Sequence, residues 1–214
     1  MDIDRKTITR LSRYKDAVKR LAGLNFVRIF SRNLADATGV SAAQVRKDFS
    51  VFGIKGNRRG GYYIEDLEDA LNRVLGKDLV KNFIVVGVGN IGRALLEYEV
   101  LEEHNIQIVA GFDINPDKFD PEGSVPVLPL DEMGRYVSEN EVELGVIAVP
   151  AIACQQVFEL MLATGINGII NFAPIWLQAP EGCIVNNINL VGEFENLVYF
   201  ADNQNSKEVK VAND

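Results

Sequence analysis

Asn82-Phe83-Ile84-Val85-Val86-Gly87-Val88-Gly89-Asn90-Ile91-Gly92 decides the fold of the larger part of this chain. Its first five residues form a short apolar, β-branched run, as in strands buried on both faces of a parallel sheet. The run opens into G-x-G-x-x-G, and Ala94, Leu95, Leu96 and Tyr98 then take up helical spacing. A strand that passes through three glycines at this spacing and restarts as a helix is a phosphate-binding turn. Gly87 allows the tight turn, Gly89 lets a pyrophosphate approach the backbone, and Gly92 lets the helix pack closely on the strand. Val88, Asn90 and Ile91 complete a loop whose helix N-terminus faces the phosphates.

A second apolar run, Ile106 to Phe112, ends in Asp113, 21 residues after Gly92. That is the position of a ribose-binding acid. A carboxylate there accepts from both ribose hydroxyls and repels a 2′-phosphate, so NAD(H) is expected rather than NADP(H). Gly145 to Val149 and Ile166 to Ile170 read as further strands separated by a helix, Ile152 to Thr164, which is the alternation of a doubly wound α/β sheet. Pro150-Ala151 and Asn171-Phe172-Ala173-Pro174 follow these strands on the side where such folds bind ligands. The stretch Ile188 to Phe200 carries Leu190, Val191, Phe194, Leu197, Val198 and Phe200, more apolar surface than a terminal surface helix usually shows. It is expected to pack on its own sheet or on another chain, and the polar residues after Asp202 are expected to fray.

Working back toward residue 1, the charge reverses. Residues 1–62 hold 14 Lys or Arg against 5 Asp or Glu, while residues 63–214 hold 8 against 25, so the net charge of −8 conceals a basic module on an acidic body. A basic module suits a polyanionic backbone, and an acidic body limits indiscriminate binding. Ile8, Leu11, Tyr14, Val18, Leu21 and Ala22 mark the buried face of a first helix that Gly23 stops. Ser31 is expected to cap a second helix containing Leu34 and Ala35, Gly39 to make a turn, and Ser41 to cap a third that runs to about Phe52. Two short helices about a glycine turn form a helix-turn-helix.

On the third helix Val45, Phe49 and Phe52 fall within about 60° of one another, and Ala43, Arg46, Lys47 and Ser50 project from the opposite side. Ala42 and Ala43 are small enough for close approach to a groove, and Gln44, Arg46 and Lys47 can donate to phosphates or base edges. Lys55-Gly56-Asn57-Arg58-Arg59-Gly60-Gly61-Tyr62-Tyr63 then reads as a β-hairpin wing, with Lys55, Arg58, Arg59 and Tyr62 as its candidate DNA contacts. Glu65 to Leu75 is a further helix, with Leu67, Ala70, Leu71, Val74 and Leu75 on its apolar side, closed by Gly76-Lys77-Asp78.

Val45-Arg46-Lys47-Asp48-Phe49-Ser50, Phe52-Gly53, Gly56, Arg58 and Gly61-Tyr62 resemble the recognition helix and wing of the Rex family of redox-sensing transcriptional repressors. The likeness covers residues 31–67 without a gap and departs at Asn57 and Arg59, where a Lys or Arg and a Gly are expected. It implies a homodimer that reads a palindromic operator and is released from it when NADH binds. It also implies that Ala148-Val149-Pro150-Ala151 and Asn171-Phe172-Ala173-Pro174 line the nicotinamide end, and that the C-terminal helix is exchanged between subunits. The family's Arg in the first helix and Asp before the last are replaced here by Asp16 and Asn189, which with Tyr98 are the candidates for coupling the two ligands.

The division expected is thus a winged helix over 1–78, a Rossmann domain over 79–187, an exchanged helix over 188–203 and a frayed tail over 204–214. Three other classes compete, one of them a DNA-binding structural protein in which the nucleotide only stabilises the fold. An NAD-dependent dehydrogenase would need an acid or base near the nicotinamide, yet the single His104 lies elsewhere and no Lys or His occurs between Arg135 and Lys207. A CoA-binding domain of the ligase type would share the glycine loop but leaves the basic winged helix, and less readily Asp113, unexplained. The charged start, the lack of a long apolar run and the well-separated Cys154 and Cys183 point to a cytoplasmic protein with buried thiols and no membrane span or metal site.

Overall fold

The computed structural model describes residues 3–57, 60–76 and 79–211, with side chains through Asn203. Contacts divide the chain into two compact units, Met1–Val80 and Lys81–Asp214. Arg58, Arg59, Lys77 and Asp78, which the sequence assigns to the wing and to the close of a helix, lie outside the described residues.

In the first unit Asp4 caps α1, Arg5–Gly23, and α2, Ser31–Thr38, follows a two-residue strand β1, Arg28–Ile29. Gly39, at φ 73°, turns the chain into α3, Ala42–Val51, and β2, Tyr62–Tyr63, leads to α4, Ile64–Val74. Leu11, Tyr14, Ala17, Val18, Leu34, Val45, Phe49, Leu67 and Leu71 share one core. Each of its fully buried large side chains stabilises the unit by about 1.5–3 kcal/mol. Ile8, expected on that buried face, is 37% exposed because it lies one turn before the packed part of α1. Phe30 rather than Ser31 occupies the cap position of α2, and its backbone N–H donates to Asn33 Oδ1 at 2.8 Å. Asn57 and Gly61 form an antiparallel bridge, and the strand that follows, β2, pairs antiparallel with β1.

The second unit is a six-stranded parallel sheet. Its strands are β3 (Lys81–Val86), β4 (Ile106–Asp113), β5 (Val127–Pro129), β6 (Leu144–Ile147), β7 (Gly168–Asn171) and β8 (Ile184–Asn187), in the order β5-β4-β3-β6-β7-β8. The crossovers carry α5 (Asn90–Leu96), α6 (Met133–Glu139) and α7 (Ala151–Ala163). The strand sequence reverses direction at β3, and the crevice outside the carboxyl ends of β3 and β6 is where such sheets bind ligands.

The chain ends in α8, Leu190–Val211, so helical backbone continues past Asp202, where the sequence reading ends it. Val191, Phe194, Leu197, Val198, Tyr199 and Phe200 on α8 are all at least 60% exposed. No helix among the described residues is long and apolar enough to cross a membrane.

Candidate functional site

The third helix presents two faces, as its spacing requires. Val45 and Phe49 are fully buried, and Phe49 packs edge-on between Tyr14 at 5.6 Å and Tyr62 at 5.2 Å. Ala43, Arg46, Lys47 and Ser50 are exposed, and Ser41 caps the helix by accepting from the N–H of Gln44 at 3.1 Å. Arg46 donates to the Ser31 hydroxyl at 3.1 Å, so a side chain expected to cap α2 instead steadies a cation of the reading face. Lys55 is exposed at the base of the wing.

Two expected DNA contacts are turned inward. The Tyr62 ring lies on Phe49 and fills the space a Cβ at Gly56 would need, while Tyr63 is the exposed aromatic, with the Arg28 guanidinium 4.0 Å above its ring. Gln44 gives its amide to Asp48 at 2.7 Å.

Asp48 is a junction that the sequence did not disclose. Its carboxylate accepts two bonds from Arg10 at 2.7 Å, one from the Tyr14 hydroxyl at 2.9 Å and the one from Gln44. Burial alone pushes this carboxyl up, but the bonds from Arg10, Gln44 and Tyr14 outweigh it and hold it below the usual carboxylate range. Burial, with the bond to Asp48, pushes the Tyr14 phenol up to about 12. Arg10 and Tyr14 lie on α1, so the junction fixes α3 against the body of its unit.

In the second unit the glycine loop has the required geometry. Gly87 adopts φ 95°, donates to Phe112 O at 2.8 Å, and has no room for a Cβ beside Ala148 O. A Cβ at Gly92 would sit on the carbonyl oxygen of Gly87, whereas one at Gly89 would meet nothing within 4 Å. Gly89 therefore borders open space at the start of α5, beside the exposed Asn90 and Ile91. Val88 differs from expectation, because its side chain is buried and its N–H is spent on Asp113 at 2.8 Å.

Asp113 Oδ2 also accepts from Lys118 Nζ at 2.8 Å, and Oδ1 accepts from the Asn115 N–H at 2.9 Å. A carboxylate offers about four lone-pair sites, and three are in use. One remains for a ribose hydroxyl, not the two that the sequence reading assigns, unless Lys118 moves aside. Burial pushes this carboxyl up, and Lys118, Asn115 and Val88 together hold it below its ordinary range. Lys118 was not foreseen; the turn Pro116–Lys118 folds it back onto the acid.

At the other end of the crevice, Pro150 and Ala151 are exposed at the N-terminus of α7, and Phe172 is half-buried. Ala173 is 5% exposed and packs into the core, so its contribution to a ligand surface is small. Ala173, Pro174, Trp176, Asn187 and Asn189 line a cavity of about 150 Å³. Asn189 caps α8, its Oδ1 accepting from the Gly192 N–H at 3.0 Å. Asp16 and Tyr98 are exposed, each within its own unit. Cys154 is buried and Cys183 is half-buried, and burial pushes both thiols up.

Comparison with known proteins covers both units at once. The redox-sensing transcriptional repressor Rex of Levilactobacillus brevis is 33% identical over 207 residues, spanning 96% of this chain and 98% of the relative. That of Bacillus subtilis is 37% identical over 199 residues and 92% of each. This chain belongs to the Rex family. A crystal structure of RSP, a Rex-family repressor, is 30% identical, covers 98% of this chain and 99% of its own, and superposes with a TM-score of 0.87. RSP in complex with β-NAD+ and operator DNA gives 0.90 over 98% of each chain.

The family described as "Putative DNA-binding protein N-terminus" matches residues 2–50, and that described as "CoA binding domain" matches residues 80–175. The latter is the domain type weighed above as a ligase module. Rex relatives span the winged helix and this domain together, so the chain is a transcriptional repressor and not a ligase or dehydrogenase.

Proposed function

We propose that this Rex-family chain binds NADH and NAD+ at the Gly87–Gly92 loop, and operator DNA through α3 and the wing. NADH releases it from DNA. The observation that carries the reading is the loop itself: Gly89 opens on free space while Asp113, fixed by Val88, Asn115 and Lys118, keeps one acceptor site beside it. RSP has been crystallised with β-NADH and with β-NAD+ and operator DNA.

In this reading, backbone N–H groups of the loop and of the first turn of α5 hold the pyrophosphate, and Asp113 holds the adenine ribose. Pro150, Ala151, Phe172 and Pro174 flank the nicotinamide. The bound nucleotide supplies a nicotinamide whose charge differs between its two redox states, and only differential affinity of those states for two arrangements of the protein can shift DNA binding. Ala43, Arg46, Lys47 and Ser50 meet the major groove, with Ser41 and Lys55 on the adjoining backbone.

The exposed apolar face of α8 is covered by a second copy, which exchanges this helix and makes a homodimer whose paired reading helices match a palindromic operator. The boundaries that go with this reading are those of the two compact units, with α8 as the exchanged element. The test titrates NADH against a fixed NAD+ concentration while operator binding is followed. Progressive release supports the reading, and operator affinity indifferent to the NADH/NAD+ ratio refutes it.

A further inference from the structure

The loop after β7 is held by two asparagines, of which Asn187 has no place in the nucleotide scheme. Asn171 ends β7 and is 1% exposed. Its Oδ1 accepts from the Ala173 N–H at 2.9 Å and lies 3.6 Å from Cys154 Sγ, and its Nδ2 donates to Ile175 O at 2.8 Å and to Asn187 Oδ1 at 2.9 Å. Asn187 ends β8 beside it. The Asn187 Oδ1 also accepts from the Leu177 N–H, and its Nδ2 donates to Leu177 O, both at 3.0 Å.

Residues 173, 175 and 177 are thus each bound by a side-chain amide where a sheet would use a neighbouring strand. An amide carries a donor and an acceptor side by side, so Asn187 forms with Leu177 the reciprocal pair that a strand backbone would form. An aliphatic side chain would leave Leu177 N–H and Asn171 Nδ2 unpaired, and a carboxylate would set an oxygen against Leu177 O. Trp176, the one tryptophan of the sequence, lies in this loop, is 76% exposed and lines the same cavity as Asn187.

We propose that Asn187 is a positioning residue for the nicotinamide end of the site, acting through the loop Phe172–Leu177 rather than by contact with the nucleotide. The inference rests on the reading of Phe172 and Pro174 as flanking the nicotinamide. It makes the amide pair the element that keeps the loop in one conformation, so that a nicotinamide meets a preformed surface and does not bear the cost of ordering it.

The discriminating pair of ligands is NADH and ADP-ribose, which share the adenosine and pyrophosphate and differ at the nicotinamide. Affinities of both are measured by calorimetry on the full chain, wild type and Asn187→Ala, with Trp176 emission recorded before ligand is added. The variant is expected to lose about tenfold in NADH affinity, about 1.4 kcal/mol, while ADP-ribose affinity stays within about twofold and the Trp176 emission of the free protein changes. Equal losses for both ligands would mark general loosening and overturn the proposal, as would unchanged NADH affinity. Should Asn187→Ala fail to fold, Asn187→Asp keeps the acceptors but sets a charged oxygen against Leu177 O; the same selective loss of NADH affinity is expected, and the same two affinities decide. A wild-type chain that binds neither ligand refutes the nucleotide reading itself, an outcome distinct from equal binding changes in the variant.

Discussion

Replacing Asp48 by Ala removes the acceptor of four hydrogen bonds at the junction of α1 and α3. The Asp48 side chain is 3% exposed and that of Arg10 is 22% exposed, so the guanidinium can turn partly to water but the Tyr14 hydroxyl cannot. Breaking a buried pair from one side costs about 3–5 kcal/mol, and the partial exposure of Arg10 puts the expected loss near the lower end, about 3 kcal/mol. A unit of 80 residues has a total stability of about 4–12 kcal/mol, so it should remain folded at 25 °C but melt about 12–24 °C lower.

Calorimetry on the full chain, with hydrogen exchange at α3 to identify the unit that opens, measures this loss. Arg10→Met combined with Asp48→Ala should fall short of additivity by about 1.5–3 kcal/mol, the scale of hydrogen bonds to a charged partner. Because the folded carboxyl lies below its unfolded value, its contribution is complete above the ordinary Asp range, about 3.9, and is lost as pH falls through the folded value. The variant's melting point should therefore fall less steeply in acid than the wild type's. A melting point within about 3 °C of wild type at pH 7, or strict additivity of the two substitutions, would refute the view that this junction holds the recognition helix.

Asp113→Ala should weaken NADH binding by about 1–3 kcal/mol and leave nucleotide-free operator affinity unchanged; an unaltered calorimetric affinity removes Asp113 from the site. Arg46→Ala and Lys47→Ala should each lose most operator binding with NADH affinity intact. A cation that touches phosphate alone will lower the salt slope by about one unit, and wild-type affinity in both variants would exclude α3 as the reading helix. Asn189→Ala loses the cap of α8, about 1 kcal/mol, seen as faster amide exchange in its first turn. The factor by which NADH changes operator affinity should nevertheless stay nearly constant, since Asn189 carries no charge. A tenfold fall in that factor, about 1.4 kcal/mol, would show that Asn189 transmits the signal.

Long periodic segments were legible in the sequence because their burial pattern is local. The glycine loop, β4 ending in Asp113, α3 with its two faces and the apolar α8 all follow from spacing alone. The strands that escaped are short: β1 has two residues, β5 has three including a proline, and β8, Ile-Val-Asn-Asn, is half polar. Two to four residues carry no period, and these strands exist because a neighbouring strand offers its backbone. The Ser31 cap and the packing of Tyr62 escaped for another reason. Ser31 and Tyr62 have the right chemistry for the roles the sequence suggested, but Arg46 and Phe49 compete for them through contacts 15 and 13 residues away in the chain.

The two aspartates of the functional motifs share one lesson about what such motifs encode. Asp113 closes the second Rossmann strand and reads as a group that meets a ligand, whereas Asp48, which follows the Arg-Lys pair of α3, has no role in that reading. In the structure both are buried and nearly saturated by donors from elsewhere in their unit. A buried carboxylate without partners would cost several kcal/mol or take up a proton, so once either acid is placed inside, the donors around it are required rather than incidental. Those donors come from Arg10 and Tyr14 on α1 in one case, and from the glycine loop and the Pro116 turn in the other. Each acid thereby fixes the segment to which binding is assigned in the proposed function, while Arg46 and Lys47 on α3 and the open side of Gly89 stay exposed.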